Sequence, residues 1–201
     1  MMGLSGPSSF ATRELSKRTW GDFVRLFNKP GEWRLCWCMY YHRARPVPKA
    51  ERTGLTSKQW KEKNRKGKKK LTEEGCSHGI LVYDGDDPVG WCQYGPREEL
   101  PRVDAGRKYK ALGLQPGNER LWRITCFCVD RKYRNTGVAT AGLKAALESI
   151  KRKGGGTIEA YPVTRRGALA TWFGTVSMFR AHGFKKVAKF GKSNVLMRKQ
   201  V

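Results

Sequence analysis

The chain has 201 residues, with 41 lysines and arginines against 17 aspartates and glutamates, a formal charge of +24 and an isoelectric point near 10.2. That length suits a single domain over residues 1–201, no apolar run approaches the ~20 residues of a membrane span, and residues 1–10 lack a secretion signal's basic start and apolar core, so a cytoplasmic protein is expected. Such a charge attracts anions in general: an anionic partner (nucleic acid or an acidic surface) stands beside the plainer reading that Lys and Arg coat a soluble enzyme.

After a Gly/Ser/Pro-containing leader (1–12), Trp20, Phe23, Val24 and Phe27 fall at i, i+3, i+4 and i+7. That spacing predicts one buried helical stripe, stopped by Asn28, Pro30 and Gly31. Residues 33–41, aromatic and apolar, are predicted as a strand, broken by 44–48. Cys36 and Cys38 share one face of that strand, as Cys126 and Cys128 do in a later one. Cys76 and Cys92 stand alone, and His42, His78 and His182 show no finger-like spacing. Reduced, buried cysteines are therefore favoured over zinc, and no metal is expected.

The basic segment 56–75 holds a helix over 58–74 with only Trp60 and Leu71 to pack. Its cationic run, 61–70, is read as a solvated face or mobile arm before an anion-docking patch. Residues 79–83 and 89–94 flank Asp84-Gly85-Asp86-Asp87-Pro88 and predict a hairpin. Residues 95–118 form a polar connection punctuated by Gly and Pro, long enough to carry function. A strand over 121–129 leads to a helix over 137–153, closed by Lys151, Arg152, Lys153 and Gly154. A strand over 157–163 follows. Leu169, Trp172, Phe173, Val176 and Phe179 then predict an amphipathic helix ending at Gly183, and 185–190 with 195–199 a closing hairpin. The order gives a mixed α/β domain with a parallel strand pair at its heart.

The richest segment is Val129-Asp130-Arg131-Lys132-Tyr133-Arg134-Asn135-Thr136-Gly137-Val138-Ala139, where strand meets helix. Unpartnered first-turn N–H groups and the helix dipole make such a junction an anion site. Arg134 adds positive charge, and Gly137 and Ala139 allow close approach to the backbone. Rival glycine readings are weaker. Gly142-Leu143-Lys144 only superficially resembles a P-loop, and Gly154-Gly155-Gly156 follows a helix instead of opening one.

Arg134-x-x-Gly137-x-Ala139 after a hydrophobic strand resembles the acetyl-CoA-binding signature of the GNAT acetyltransferases. The element order matches, and Phe179-Arg180-Ala181-His182-Gly183-Phe184 resembles an ending common in that superfamily. The resemblance is best over 77–199, and it extends to bacterial members with Cys-Trp-Cys (36–38) and Gly-Trp-Cys (90–92) before Pro96-Arg97-Glu98. It implies a GNAT fold, a central twisted mixed sheet with flanking helices, and direct acetyl transfer from acetyl-CoA to a primary amine. The backbone of Arg134, Asn135, Thr136, Gly137, Val138, Ala139 and Thr140 would then hold the coenzyme A pyrophosphate. The strand edge at Phe127, Cys128 and Val129 would pair with pantetheine, and an N–H near Val129 would meet the oxyanion, worth ~3 kcal/mol. An acyl-cysteine route through Cys126 or Cys128 is disfavoured because no base lies nearby in sequence. Many members carry an acid tyrosine four residues before the glycine equivalent to Gly183; here that residue is Phe179, which leaves Tyr161 and Ser177. Glu98, then Glu99 or Glu159, are candidates for the base. An acetyl-CoA-sensing pseudoenzyme and a nucleic-acid-binding module are the alternative functions.

Overall fold

Strand-forming segments alternate with amphipathic helices along the chain, and the computed structural model assembles them into one seven-stranded mixed sheet. It describes residues 10–30, 35–114, 120–164 and 170–201. The strands are β1 (Ala11–Glu14), β2 (His78–Asp84), β3 (Asp87–Pro96), β4 (Leu121–Val129), β5 (Thr157–Ala160), β6 (Lys185–Phe190) and β7 (Asn194–Gln200). Their order across the sheet is β1-β2-β3-β4-β5-β7-β6. The pair β4–β5 is parallel and its neighbours are antiparallel, as the strand-helix-strand crossover requires. Among the described residues no helix is long and apolar enough to cross a membrane.

The helices are α1 (Trp20–Asn28), α2 (Lys49–Thr53), α3 (Ser57–Glu73), α4 (Arg102–Ala105), α5 (Arg107–Lys110), α6 (Val138–Arg152), α7 (Ala170–Phe173) and α8 (Val176–Ala181). On one face α6 buries Val138, Leu143, Ala146 and Ile150 against β2, β3 and β4. The opposite face is aromatic: Phe23 stacks on Phe27 at 4.1 Å and meets Trp91 edge-on at 4.9 Å. Rings like these dominate core energetics because each hides a large apolar area.

Five expectations change. Residues 11–14 are a strand, so the leader is not all irregular; positions 1–9 lie outside the described residues. Residues 35–41 form turns instead of the strand expected over 33–41, with Trp37 and Cys38 at φ 50° and 47° in the left-handed region; positions 33 and 34 lie outside the described residues. The Trp37 ring is claimed by Phe27, 5.6 Å away, and that packing outweighs strand propensity. The single helix expected to end at Gly183 is split into α7 and α8 at Gly174, whose φ is +72°; Leu169 lies outside the described residues. The connection expected over 95–118 begins with the end of β3 and carries a 3-10 turn (Arg97–Glu99) plus α4 and α5, its positions 115–118 lying outside the described residues; β5 ends at Ala160, leaving Val163 in isolated bridges to Thr175 and Asn194.

The basic helix exists where expected and is no mobile arm. Thr56 and Gln59 form a reciprocal capping box, and Asn64 and Lys68 are fully buried.

At the other edge, Glu14 accepts hydrogen bonds from Ser149 at 2.7 Å and Lys153 at 2.8 Å. Burial alone would raise its pKa, but Lys153, Ser149 and Arg152 together hold it at about 2, below its ordinary 4.5. A folded value below the unfolded one adds stability above pH 4.5 that is lost as the pH falls towards 2. With the carboxylate 35 % exposed, solvent screening reduces this contribution to about 1 kcal/mol. We expect Glu14→Gln to flatten the acid limb of a urea-stability profile by that amount; an unchanged limb would contradict the assignment.

Candidate active site

Past the paired stretch Leu121–Ile124 with Thr157–Ala160, β4 and β5 part company. β4 continues to Val129, still paired on its other side with β3. The chain after Ala160 turns away, and Val163 donates its N–H to the Gly174 carbonyl at 3.3 Å. Among the described residues no strand pairs with the β5-facing edge of β4 beyond Ile124. That edge offers peptide donors and acceptors to an extended, amide-bearing ligand. A register shift leaves Thr125 as the extra residue of a bulge, which kinks β4 where the gap opens.

The same strand runs into the cradle. Asp130 accepts from the Lys132 N–H at 3.1 Å, and a 3-10 turn spans Arg131–Tyr133. Thr136 donates its hydroxyl to the Tyr133 carbonyl at 2.7 Å. Asn135 and Gly137 take positive φ, 64° and 98°. Gly137 is the N-cap of α6 and has no side chain to cap its first turn, so the N–H groups of Val138, Ala139 and Thr140 keep the helix-start geometry that receives anions. A β-carbon at Gly137 would meet nothing within 4 Å, so the approach is open. Arg134 lies half-buried at its side.

Where β4 and β5 separate lies a cavity of about 920 Å³. Tyr161, Trp172, Phe173 and Phe190 give it an aromatic wall, and Arg102, Arg107 and Lys108 bring positive charge. No carboxylate lines it among the described residues. Arg102 stacks over the Tyr40 ring at 4.2 Å.

Behind the wall, fully buried Glu159 accepts from the Tyr161 hydroxyl at 2.6 Å and from the Tyr109 hydroxyl at 3.0 Å. Arg198 donates to it at 2.7 Å, and buried Arg123 lies 3.5 Å away while pairing with Asp104 at 2.5 Å. Burial pushes the Tyr161 hydroxyl well above its ordinary pKa; Arg123 opposes that shift and Glu159 adds to it. Tyr161 is therefore neutral, with its proton committed to Glu159.

Of the three side chains proposed for catalysis from sequence, Tyr161 alone lines the cavity. Glu98 is exposed on the 3-10 turn, and Ser177 is exposed on α8, within 3.0 Å of the Thr175 hydroxyl. Neither belongs to the wall. The alternative base Glu99 is held by His78 at 2.9 Å. Phe127, Cys128 and Val129 lie on β4 beyond its pairing with β5, and residues 134–140 form the turn and first turn of α6.

Sequence reasoning missed Gln93 and His42. The Gln93 amide donates to the Cys38 carbonyl at 2.9 Å and to His42 Nε2 at 3.0 Å, and His42 Nδ1 meets the Glu99 carbonyl at 2.9 Å. Burial, then Lys68, pulls the His42 pKa well below its ordinary value, so the ring is neutral with its proton on Nδ1. Burial also lowers Lys68, to about 8, against the upward pull of Cys38 and Cys36.

A seven-stranded mixed sheet that opens beside a parallel pair, with an uncapped helix start at the end of the opening, is an acetyltransferase architecture. The acetyltransferase (GNAT) family model matches residues 20–174, and the chain belongs to that family. Among solved structures it is similar to the PaiA N-acetyltransferase from Thermoplasma acidophilum in complex with coenzyme A, at TM-score 0.53 and 13% identity, covering 96% of this chain and 99% of that one. It is also similar to the GNAT domain of S. lividans PAT, at TM-score 0.53 and 14% identity over 96% and 90% of the two chains. An acetyltransferase of the GNAT family from Streptococcus pneumoniae matches at TM-score 0.50 and 14% identity over 96% and 100%. No curated protein matches the sequence.

Proposed function

We propose that this protein moves the acetyl group of acetyl-CoA directly to a primary amine that carries an anionic group close by. The observation that carries this reading is the free β4 edge from Thr125 to Val129, which ends at the uncapped start of α6. Pantetheine amides pair along Phe127, Cys128 and Val129, and the pyrophosphate sits on the N–H groups from Arg134 to Thr140. The thioester then lies at the splay, facing the cavity. A backbone N–H of β4 meets the carbonyl oxygen as it gains charge during attack.

The acceptor enters from the cavity. Tyr161 orients it: with its proton given to Glu159, the oxygen accepts a hydrogen bond from the incoming amine. This replaces the role of acid to the leaving thiolate that sequence reasoning gave it. Arg102, Arg107 and Lys108, with no carboxylate in the wall, favour an acceptor bearing a carboxylate or phosphate and disfavour polyamines.

Thiol release from acetyl-CoA, followed over a panel of amines, tests this. Aromatic amines with a carboxylate are expected to turn over and spermidine is not; faster turnover of spermidine would overturn the acceptor class. Arg102→Glu is expected to raise KM for an anionic acceptor about tenfold, roughly 1.4 kcal/mol, with Kd for coenzyme A unchanged.

A further inference from the structure

Sulfurs from two distant segments of the chain meet at the cavity. Cys38 comes from the turn after α1, and Cys126 and Cys128 from one face of β4. Cys38 Sγ and Cys128 Sγ are 3.9 Å apart, and all three sulfurs lie within 4.8 Å of one another. A zinc ion with Zn–S bonds of ~2.3 Å holds thiolates about 3.8 Å apart, so a small inward movement of Cys126 closes the set.

The surroundings are built for negative sulfur. Lys68 is fully buried on α3, with no carboxylate salt bridge among the described residues. Its ammonium lies 3.1 Å from His42 Nε2 and 5.3 Å from the centre of the Trp91 ring, beside Cys38. Glu99 attracts it only from beyond salt-bridge distance, a buried ammonium without a contacting counter-charge is costly, and neutral thiols offer none. Trp91 Nε1 is also buried without a hydrogen-bond partner, in the same buried cluster as Cys38 and Cys128. A buried N–H left without a partner beside sulfurs is a donor suited to the outer contacts of a metal thiolate.

We propose that Cys38, Cys126 and Cys128 bind one zinc(II) ion as thiolates, with Lys68 as the buried counter-charge. The charges balance: three thiolates, one dication and one ammonium sum to zero, and the three thiol protons leave to solvent on binding. Cys38 and Cys126 also line the cavity, so the fourth coordination position, left open by three protein ligands, faces the acceptor side. This reverses the expectation of plain buried thiols and does not rest on the acetyl-transfer reading.

The test uses the full chain, reduced, stripped with a chelator and titrated with zinc against a chromophoric competitor. Expected is one zinc per chain, and in the cobalt(II) form a thiolate-to-metal charge-transfer band. Cys38→Ser and Cys126→Ser should each weaken binding at least 100-fold, and Lys68→Met about 10- to 100-fold. Cys76→Ser, at an exposed thiol outside the cluster, should bind as the wild type. Circular dichroism confirms folding of each variant. No stoichiometric uptake by the fully reduced chain, or uptake that survives both Cys38→Ser and Cys126→Ser, overturns the proposal.

Discussion

Glu159→Gln is expected to destabilise the protein by about 3–5 kcal/mol, lowering the melting midpoint by roughly 10 °C. The carboxylate is fully buried and is shared by Arg123, Arg198 and the hydroxyls of Tyr109 and Tyr161. Glutamine keeps the volume but removes the charge, and its amide presents a donor to groups that are themselves donors. Arg123, with no exposed side chain, would then rely on Asp104 for its only carboxylate among the described residues. Losing one partner of a buried pair costs far more than the pair itself contributes, because the remaining charge is stranded in low dielectric. Arg198→Met supplies the contrast. Its side chain is 33 % exposed, so water substitutes for the lost contact and about 1 kcal/mol is expected. Denaturant melts of the two variants decide the matter: equal losses, or a Glu159→Gln loss under about 0.5 kcal/mol, would mean the network is not strained by removing its central acid. The same variant should raise KM for the acceptor, because Tyr161 is oriented by the bond it gives to Glu159.

The sheet's hairpins and its parallel crossover could be read from local chemistry. Asp84-Gly85-Asp86-Asp87-Pro88 punctuates β2 and β3, and Gly137 opens α6 directly after the basic turn. These features depend on residues near one another in the chain. What escaped depends on distant partners. Cys36-Trp37-Cys38 has strand composition, yet the Trp37 ring is captured by an aromatic cluster from α1. The Thr125 bulge has no local signature; it appears only when β4 is laid against β3. Lys68 stood unmarked within a mostly cationic run. Its signal was the spacing of Asn64, Lys68 and Thr72 at i, i+4 and i+8, one face of the helix and the face that is buried. For the site, the strand, turn and helix start proposed to hold the phosphates were legible because they are contiguous. The cavity wall was not, since Tyr161, Arg102 and Trp172 converge only through tertiary packing.

Gly137→Asp is expected to weaken coenzyme A binding more than 100-fold, about 3 kcal/mol, for two reasons that act together. Gly137 sits at φ 98°, where an L side chain is strained by roughly 1–2 kcal/mol, so the turn shifts and the first N–H groups of α6 lose their common aim. The open space above Gly137, where a β-carbon would meet no atom within 4 Å, is also the space a diphosphate needs, and a carboxylate placed there repels it. Gly137→Ala separates the two effects: it retains the backbone strain without the charge and should lose about tenfold. Arg134→Glu reverses a charge beside the cradle while leaving the helix start intact, and an intermediate loss is expected. Isothermal titration with coenzyme A ranks the three, and a salt series checks the cause, since electrostatic losses shrink as ionic strength rises. If Gly137→Asp bound coenzyme A within threefold of the wild type, the phosphates would have to lie elsewhere. The free edge of β4 would then have no anchored ligand to pair with.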